Sequence, residues 1–184
     1  YKNSDSWIVF NGEIYNYLEI REQLVELGES FSSKTDTEVL LSALKHWGEA
    51  ALDKLRGMFS IVFFDAEKDV LIIARDRIGK KPLYYVLNEE KFIFSSEIKA
   101  LINFSSGFNE NPLSEWSLYR QTDFNKGSQL LKDVNVLSPG AYLKIQGGKV
   151  GCENYYYYLK DEVVSHKYNR INKLGRKYAV DELE

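Results

Sequence analysis

The stretch FNGEIYNYLEIREQL, Phe10 to Leu24, decides how this chain is read. Asn-Gly most often forms the tip of a β-hairpin, because both residues tolerate a positive φ. No second strand follows it here. Asn16 is followed three residues later by Glu19, the spacing of a capping box, and apolar residues recur at Leu18, Ile20, Leu24 and Leu27. Those are the marks of a helix. Upstream, Trp7 to Phe10 is apolar and partly β-branched, which reads as a strand. A strand, a turn at Asn11-Gly12-Glu13 and a helix are therefore expected. The Asn-Gly pair needs a purpose other than a hairpin.

Outward from that stretch the periods stay regular. Gly28 suits the position just past the first helix. Thr35-Asp36-Thr37-Glu38 repeats the capping-box spacing, then Val39, Leu40, Ala43, Leu44 and Trp47 keep a helical period until Gly48 stops it. Residues 49–56 suggest one more short helix. Met58 to Phe64 is a near-continuous apolar run, the pattern of a strand covered on both faces. Further strands are predicted at Val70 to Ala74, Leu83 to Leu87, Lys91 to Ser95 and Ala141 to Ile145, with a hairpin turn at Asn88-Glu89-Glu90 and a helical turn at Glu97 to Ile102. Helices segregated from antiparallel strands make the fold class α+β. Residues 1–150 read as one domain, and 151–184 as a Tyr- and Lys-rich linker with the start of another.

With 184 residues, 44% hydrophobic, 28% charged and a net charge of −3, the composition is that of a soluble globular protein. Acids and bases are interspersed, so no basic face for nucleic acid is expected. The longest apolar runs are strand-sized, short of the ~20 residues of a membrane span, and no signal peptide is visible. The single cysteine, Cys152, excludes an internal disulfide and a cysteine-built zinc site; it fits a reducing compartment, so a cytoplasmic location is expected. His46 and His166 lie far apart and receive no role. The chain opens on Tyr1, reaches a strand almost at once, and ends within an apparent helix at 178–184, so a segment of a longer protein, cut at both ends, is expected.

Four stretches stand in order: Phe10-Asn11-Gly12-Glu13-Ile14-Tyr15-Asn16, Thr35-Asp36-Thr37-Glu38, Arg75-Asp76-Arg77-Ile78-Gly79-Lys80-Lys81-Pro82-Leu83-Tyr84-Tyr85 and Phe94-Ser95-Ser96-Glu97-Ile98-Lys99-Ala100-Leu101. Together they resemble the glutaminase domain of class II glutamine amidotransferases, nearest to the N-terminal half of glutamine-dependent asparagine synthetases, over about residues 7–145. The resemblance implies a four-layer αββα sandwich of the N-terminal-nucleophile type. It implies a cysteine at the first position of the mature chain, with its own α-amino group as general base. That thiol attacks the side-chain amide of L-glutamine, ammonia leaves, and a thioester is hydrolysed to glutamate. No cofactor is implied for this region. ATP and Mg²⁺ are implied for a C-terminal synthetase domain in the same chain, where ammonia meets an activated carboxylate, aspartate by default. A homodimer is compatible with the resemblance.

Carried onto this sequence, the resemblance makes Asn11 and Gly12 the oxyanion hole and gives Glu13 and Asp36 the α-ammonium of glutamine. Read without it, Asn11-Gly12 is an ordinary turn, Glu13 a solvated acid, and Asp36 an acid favoured in a helix's first turn. Arg75-Asp76-Arg77 with Gly79 and Lys80 lacks the spacing of a phosphate loop and reads as a salt-bridged framework bend. Cys152 reads as an inert thiol. The family's cysteine, first strand and arginine-bearing loop all precede the residues present here, so the sandwich is expected to lack its first strands and the chain alone to be inactive. Other readings stay open: a non-catalytic scaffold domain, a binding module for free amino acids, or an acceptor such as a sugar acid.

Overall fold

A computed structural model describes residues 2–3, 5–88, 91–109, 130–151 and 154–155. In chain order the elements are β1 (Lys2–Asn3), β2 (Ser6–Ile14), α1 (Tyr17–Glu26), α2 (Asp36–Trp47), a 3₁₀ turn (Gly48–Ala50), α3 (Ala51–Lys54), β3 (Gly57–Asp65), β4 (Val70–Arg75), β5 (Tyr84–Leu87), β6 (Phe92–Ser95), a 3₁₀ helix (Ile98–Phe104), β7 (Asn135–Val136), β8 (Ala141–Gln146), β9 (Lys149–Val150) and β10 (Asn154–Tyr155).

The apolar run at Met58 to Phe64 lies inside β3, within a seven-stranded antiparallel sheet ordered β1-β2-β3-β4-β8-β10, with β9 beside β8. A strand there meets neighbours on both faces, so both alternating sets of its side chains must be apolar. Phe59, Ile61 and Phe63 pack toward α1 and α2, against Ile20, Leu24, Val39 and Leu40. Val62, on the opposite face, joins Ile73 and Leu143 against Tyr85 and Phe94 of the second sheet and Leu83 just before it. That sheet has three strands, ordered β6-β5-β7. Its outer face carries Val86 and Ile93, which pack under Ile98 and Leu101 of the 3₁₀ helix and beside Leu131 and Val134. The layers run helices, sheet, sheet, helix: an α+β sandwich of the αββα kind. Each fully buried side chain of this size contributes roughly 1.5–3 kcal/mol.

Several expectations change. The first strand does not stop at Phe10. β2 continues through Asn11, Gly12 and Glu13 to Ile14, paired with β3 from Ser6 opposite Asp65 to Ile14 opposite Gly57. Asn11-Gly12 is strand interior, not a turn, because a partner strand supplies hydrogen bonds that local propensity does not foresee. Asn16 is the residue before α1, but its side chain does not cap the helix. It donates to the Lys54 carbonyl and accepts from the Arg56 N–H, latching α1 to the segment that leads into β3. Thr35 does cap α2, accepting from the Glu38 N–H. Glu38, however, turns to Ser32 and Ser33 instead of closing the box on Thr35. The two-residue strands β1, β7, β9 and β10 were not predicted, being too short to show a period. Cys152, His166 and the expected linker-and-helix tail beyond Tyr155 lie outside the described residues.

Candidate active site

The strand β2 places the candidate residues. Trp7 belongs to the cluster between the sheets, and Asn11 lies on the same face two alternations later. There the Asn11 amide, half-buried, donates from Nδ2 to Ser96 Oγ at 3.0 Å, across to the chain just beyond β6.

Gly12 follows at φ +149°. A Cβ there would stand 2.0 Å from the Met58 carbonyl oxygen and 2.7 Å from the Phe59 Cα. Both are backbone atoms of β3, so no side chain fits without moving a strand. Gly57, opposite Ile14, meets the mirror restriction: its Cβ would lie 2.1 Å from the Glu13 carbonyl oxygen. The β2–β3 ribbon is thus pressed together where the candidate residues sit. Phe59, opposite Gly12, directs its N–H to the Asp76 carboxylate and accepts from the Asp76 N–H. That is the pattern of a non-hydrogen-bonded antiparallel pair, in which each amide points away from the partner strand. The Gly12 N–H is accordingly directed away from β3.

Asp36 arrives from the first turn of α2. Its Oδ2 accepts the backbone N–H of Ile14 at 3.1 Å, and the Thr37 hydroxyl reaches Oδ1 at 3.3 Å. One hydrogen bond therefore joins the helix carrying Asp36 to the strand carrying Asn11, Gly12 and Glu13. The Glu13 side chain is exposed.

Asp36 is held in place from behind. Glu38, 6% exposed, accepts from the backbone N–H and hydroxyl of both Ser32 and Ser33. Burial works against its charge, but those four donors, the Ser33 hydroxyl foremost, outweigh it and hold the carboxyl at about 2. Arg21 donates to the Ser33 carbonyl at 2.6 Å, with its guanidinium over the Phe31 ring. The loop before α2 is fixed by part-buried hydrogen bonds.

The Arg75-Asp76-Arg77 bend directs its polar groups to the backbone. Arg75 donates to the carbonyls of Gly79, Lys81 and Leu137. Burial pushes its guanidinium below the ordinary arginine value, with Asp76 and Tyr84 opposing. Asp76 accepts the N–H groups of Phe59, Ile78, Lys80 and Lys81. A phosphate loop instead leaves its amides open to a ligand. Sequence reading found no role for Ser96 or Gly57, and placed Asp76 only in a framework bend without naming the backbone amides it holds. Only a glycine at a strand start hinted at Gly57; a contact between residues 11 and 96 leaves no local signal.

A cavity of about 820 Å³ opens between the sheets at the other end of β2, lined by Trp7, Phe64, Leu71, Phe92 and Ile145 among others. It contains none of the four candidate residues. Among the described residues no group of His, Cys, Asp and Glu can hold a metal ion, and no helix is long and apolar enough to cross a membrane.

The chain matches the family model of the glutamine amidotransferase domain over residues 1–156. It is 37% identical over 160 residues to the glutamine-hydrolyzing asparagine synthetase 1 of Bacillus subtilis (strain 168), covering 85% of this chain and 25% of that one. It is 40% identical over 102 residues to asparagine synthetase 3 of the same strain, covering 55% and 17%. The chain thus spans a quarter or less of these curated relatives. Among solved structures, the glutamine phosphoribosylpyrophosphate amidotransferase from B. subtilis shares the fold, with a TM-score of 0.58 at 18% identity over 86% of this chain and 31% of that one.

Proposed function

Because the chain belongs to the glutamine amidotransferase domain family, we propose that it is the glutamine-hydrolysing part of an asparagine-synthetase-like enzyme. In this reading Asn11 Nδ2 and the Gly12 N–H converge on the oxygen of the glutamine amide as it becomes an oxyanion. A preorganised donor of this kind is worth roughly 2.7–4 kcal/mol. Glu13 and Asp36 take the substrate's α-ammonium, by charge and by accepting its N–H groups. The attacking thiol belongs to an N-terminal cysteine ahead of these residues, so the 184-residue chain by itself is expected to release no ammonia. The relatives' names support aspartate as the acceptor. ATP and Mg²⁺ serve a synthetase domain further along the full-length protein.

The observation that carries this reading is the Asp36–Ile14 hydrogen bond. It brings a helix acid 22 residues away to the strand that carries Asn11-Gly12-Glu13, with carboxylate lone pairs still open to a cation. The test is glutaminase kinetics of the full-length protein. Asp36→Asn keeps an acceptor for Ile14 but removes the charge, so KM for glutamine should rise roughly 10–100-fold with a smaller change in kcat. An unchanged KM would remove Asp36 from the substrate site.

A further inference from the structure

We propose that Ser96 is a positioning residue for the Asn11 amide. This rests on the reading of Asn11 as an oxyanion donor and adds what aims it.

An asparagine side chain ends in a torsion with broad preferences, so an unrestrained amide spreads over many orientations. A donor that must meet a developing charge gains from being fixed before the reaction. The Asn11 NH₂ carries two hydrogens in one plane. Ser96 Oγ accepts one of them at 3.0 Å, an ordinary length for such a bond. Holding one hydrogen sets the amide plane and with it the direction of the second.

Both ends of this bond are anchored in different sheets. Asn11 is opposite Ser60 in the β2–β3 ladder. Ser96 follows β6 directly, where Ser95 lies opposite Tyr84 and its hydroxyl accepts the Glu97 N–H. Phe92 and Phe94 of β6 stack on each other, their ring centroids 5.5 Å apart, within the cluster between the sheets. The amide is therefore aimed by the way the two sheets pack, not by its own strand alone.

The plainer alternative is a strut that only ties the sheets together. The apolar cluster between them already does so with Val62, Ile73, Leu83, Leu137, Ala141 and Leu143. One half-buried hydrogen bond adds little to that, whereas a small misalignment of a catalytic donor is costly in rate.

The two roles separate in a double-mutant cycle on the full-length protein, read as glutaminase kcat and KM. Ser96→Ala should lower kcat roughly tenfold and leave KM for glutamine within about twofold. Ser96→Thr, which keeps the hydroxyl, should retain kcat within about threefold. Ser96→Cys, a weaker acceptor of similar bulk, should fall between them and serves if the alanine variant does not fold. In an Asn11→Ala background, Ser96→Ala should have no further effect on kcat, because no amide is left to aim. Loss of the same factor in both backgrounds makes Ser96 a strut and overturns the inference. An unchanged kcat for Ser96→Ala, with Asn11→Ala strongly impaired, overturns this inference and leaves the reading of Asn11 standing. If Asn11→Ala itself is silent, both fall.

Discussion

Asp76 is 1% exposed and accepts four backbone N–H groups, whereas Asp36 is half-buried and accepts one, with the Thr37 hydroxyl beside it. A carboxylate offers about four acceptor positions. Asp76 is saturated by the chain around it, so it shapes the bend after β4 and has nothing left for a ligand. Asp36 keeps capacity in hand at the end of the strand that carries Asn11. Glu38 falls on the side of Asp76: its four donors come from Ser32 and Ser33. Among three acids next to the same ribbon, the number of internal donors separates framework from candidate site. In sequence, local pattern marks none of the three for substrate; only the family resemblance does so, for Asp36.

If that division is right, the saturated acids matter to folding and the unsaturated one to substrate. Asp76→Ala should have the largest effect on stability. It leaves the buried Phe59 N–H and the part-buried N–H groups of Ile78, Lys80 and Lys81 without their acceptor. A buried N–H costs on the order of 1–3 kcal/mol and the others less, so the loss should reach roughly 3 kcal/mol. A lowered urea midpoint with an unchanged slope would register it. A midpoint within experimental scatter of the parent would break the comparison.

Glu38 comes next, and its effect should depend on pH. Its carboxyl is held at about 2 in the folded protein against an ordinary value of 4.5. A depressed pKa stabilises the fold above the unfolded value and is lost as pH falls through the folded one. The stabilisation, on the order of 3 kcal/mol, should thus be complete above roughly pH 5.5 and disappear between about 4.5 and 2. Urea midpoints of the parent and of Glu38→Gln, followed across that range, should converge as pH drops. Parallel curves would mean that Glu38 is not held by its serines.

Asp36→Asn should have the smallest effect on stability, within about 1 kcal/mol, because the amide oxygen still accepts from Ile14. A loss as large as that of Asp76→Ala would place Asp36 in the framework and sharpen the contrast against a substrate role.

The layered fold was largely legible in sequence, because its signals are local. Met58 to Phe64 has the pattern of a strand covered on both faces, and Thr35 with the Val39 to Trp47 period announced α2. What escaped depends on distant partners. Gly12 has the positive φ that Asn-Gly suggests, but in the interior of a strand, since β3 is close enough to forbid any Cβ. Asn16 has the composition of a cap, yet residues 54–56 offer it a better pair of partners. The Asn11–Ser96 bond spans 85 positions, and nothing in either neighbourhood announces the other. Asp36 was tied to the Asn11 strand only through family resemblance; neither helical period nor capping chemistry requires its bond to Ile14.

The claim on which the rest depends is that Asn11 and Gly12 hold the oxyanion. It is tested most directly by the glutaminase kinetics of Asn11→Ala in the full-length protein. The oxyanion exists only along the reaction path, so the missing donor should lower kcat roughly 10²–10³-fold and change KM for glutamine far less. Synthesis from free ammonia should continue at the parent rate, because it bypasses the thiol chemistry. A glutamine-dependent kcat within a few-fold of the parent would contradict the account and leave Asn11-Gly12 as two residues of an ordinary strand.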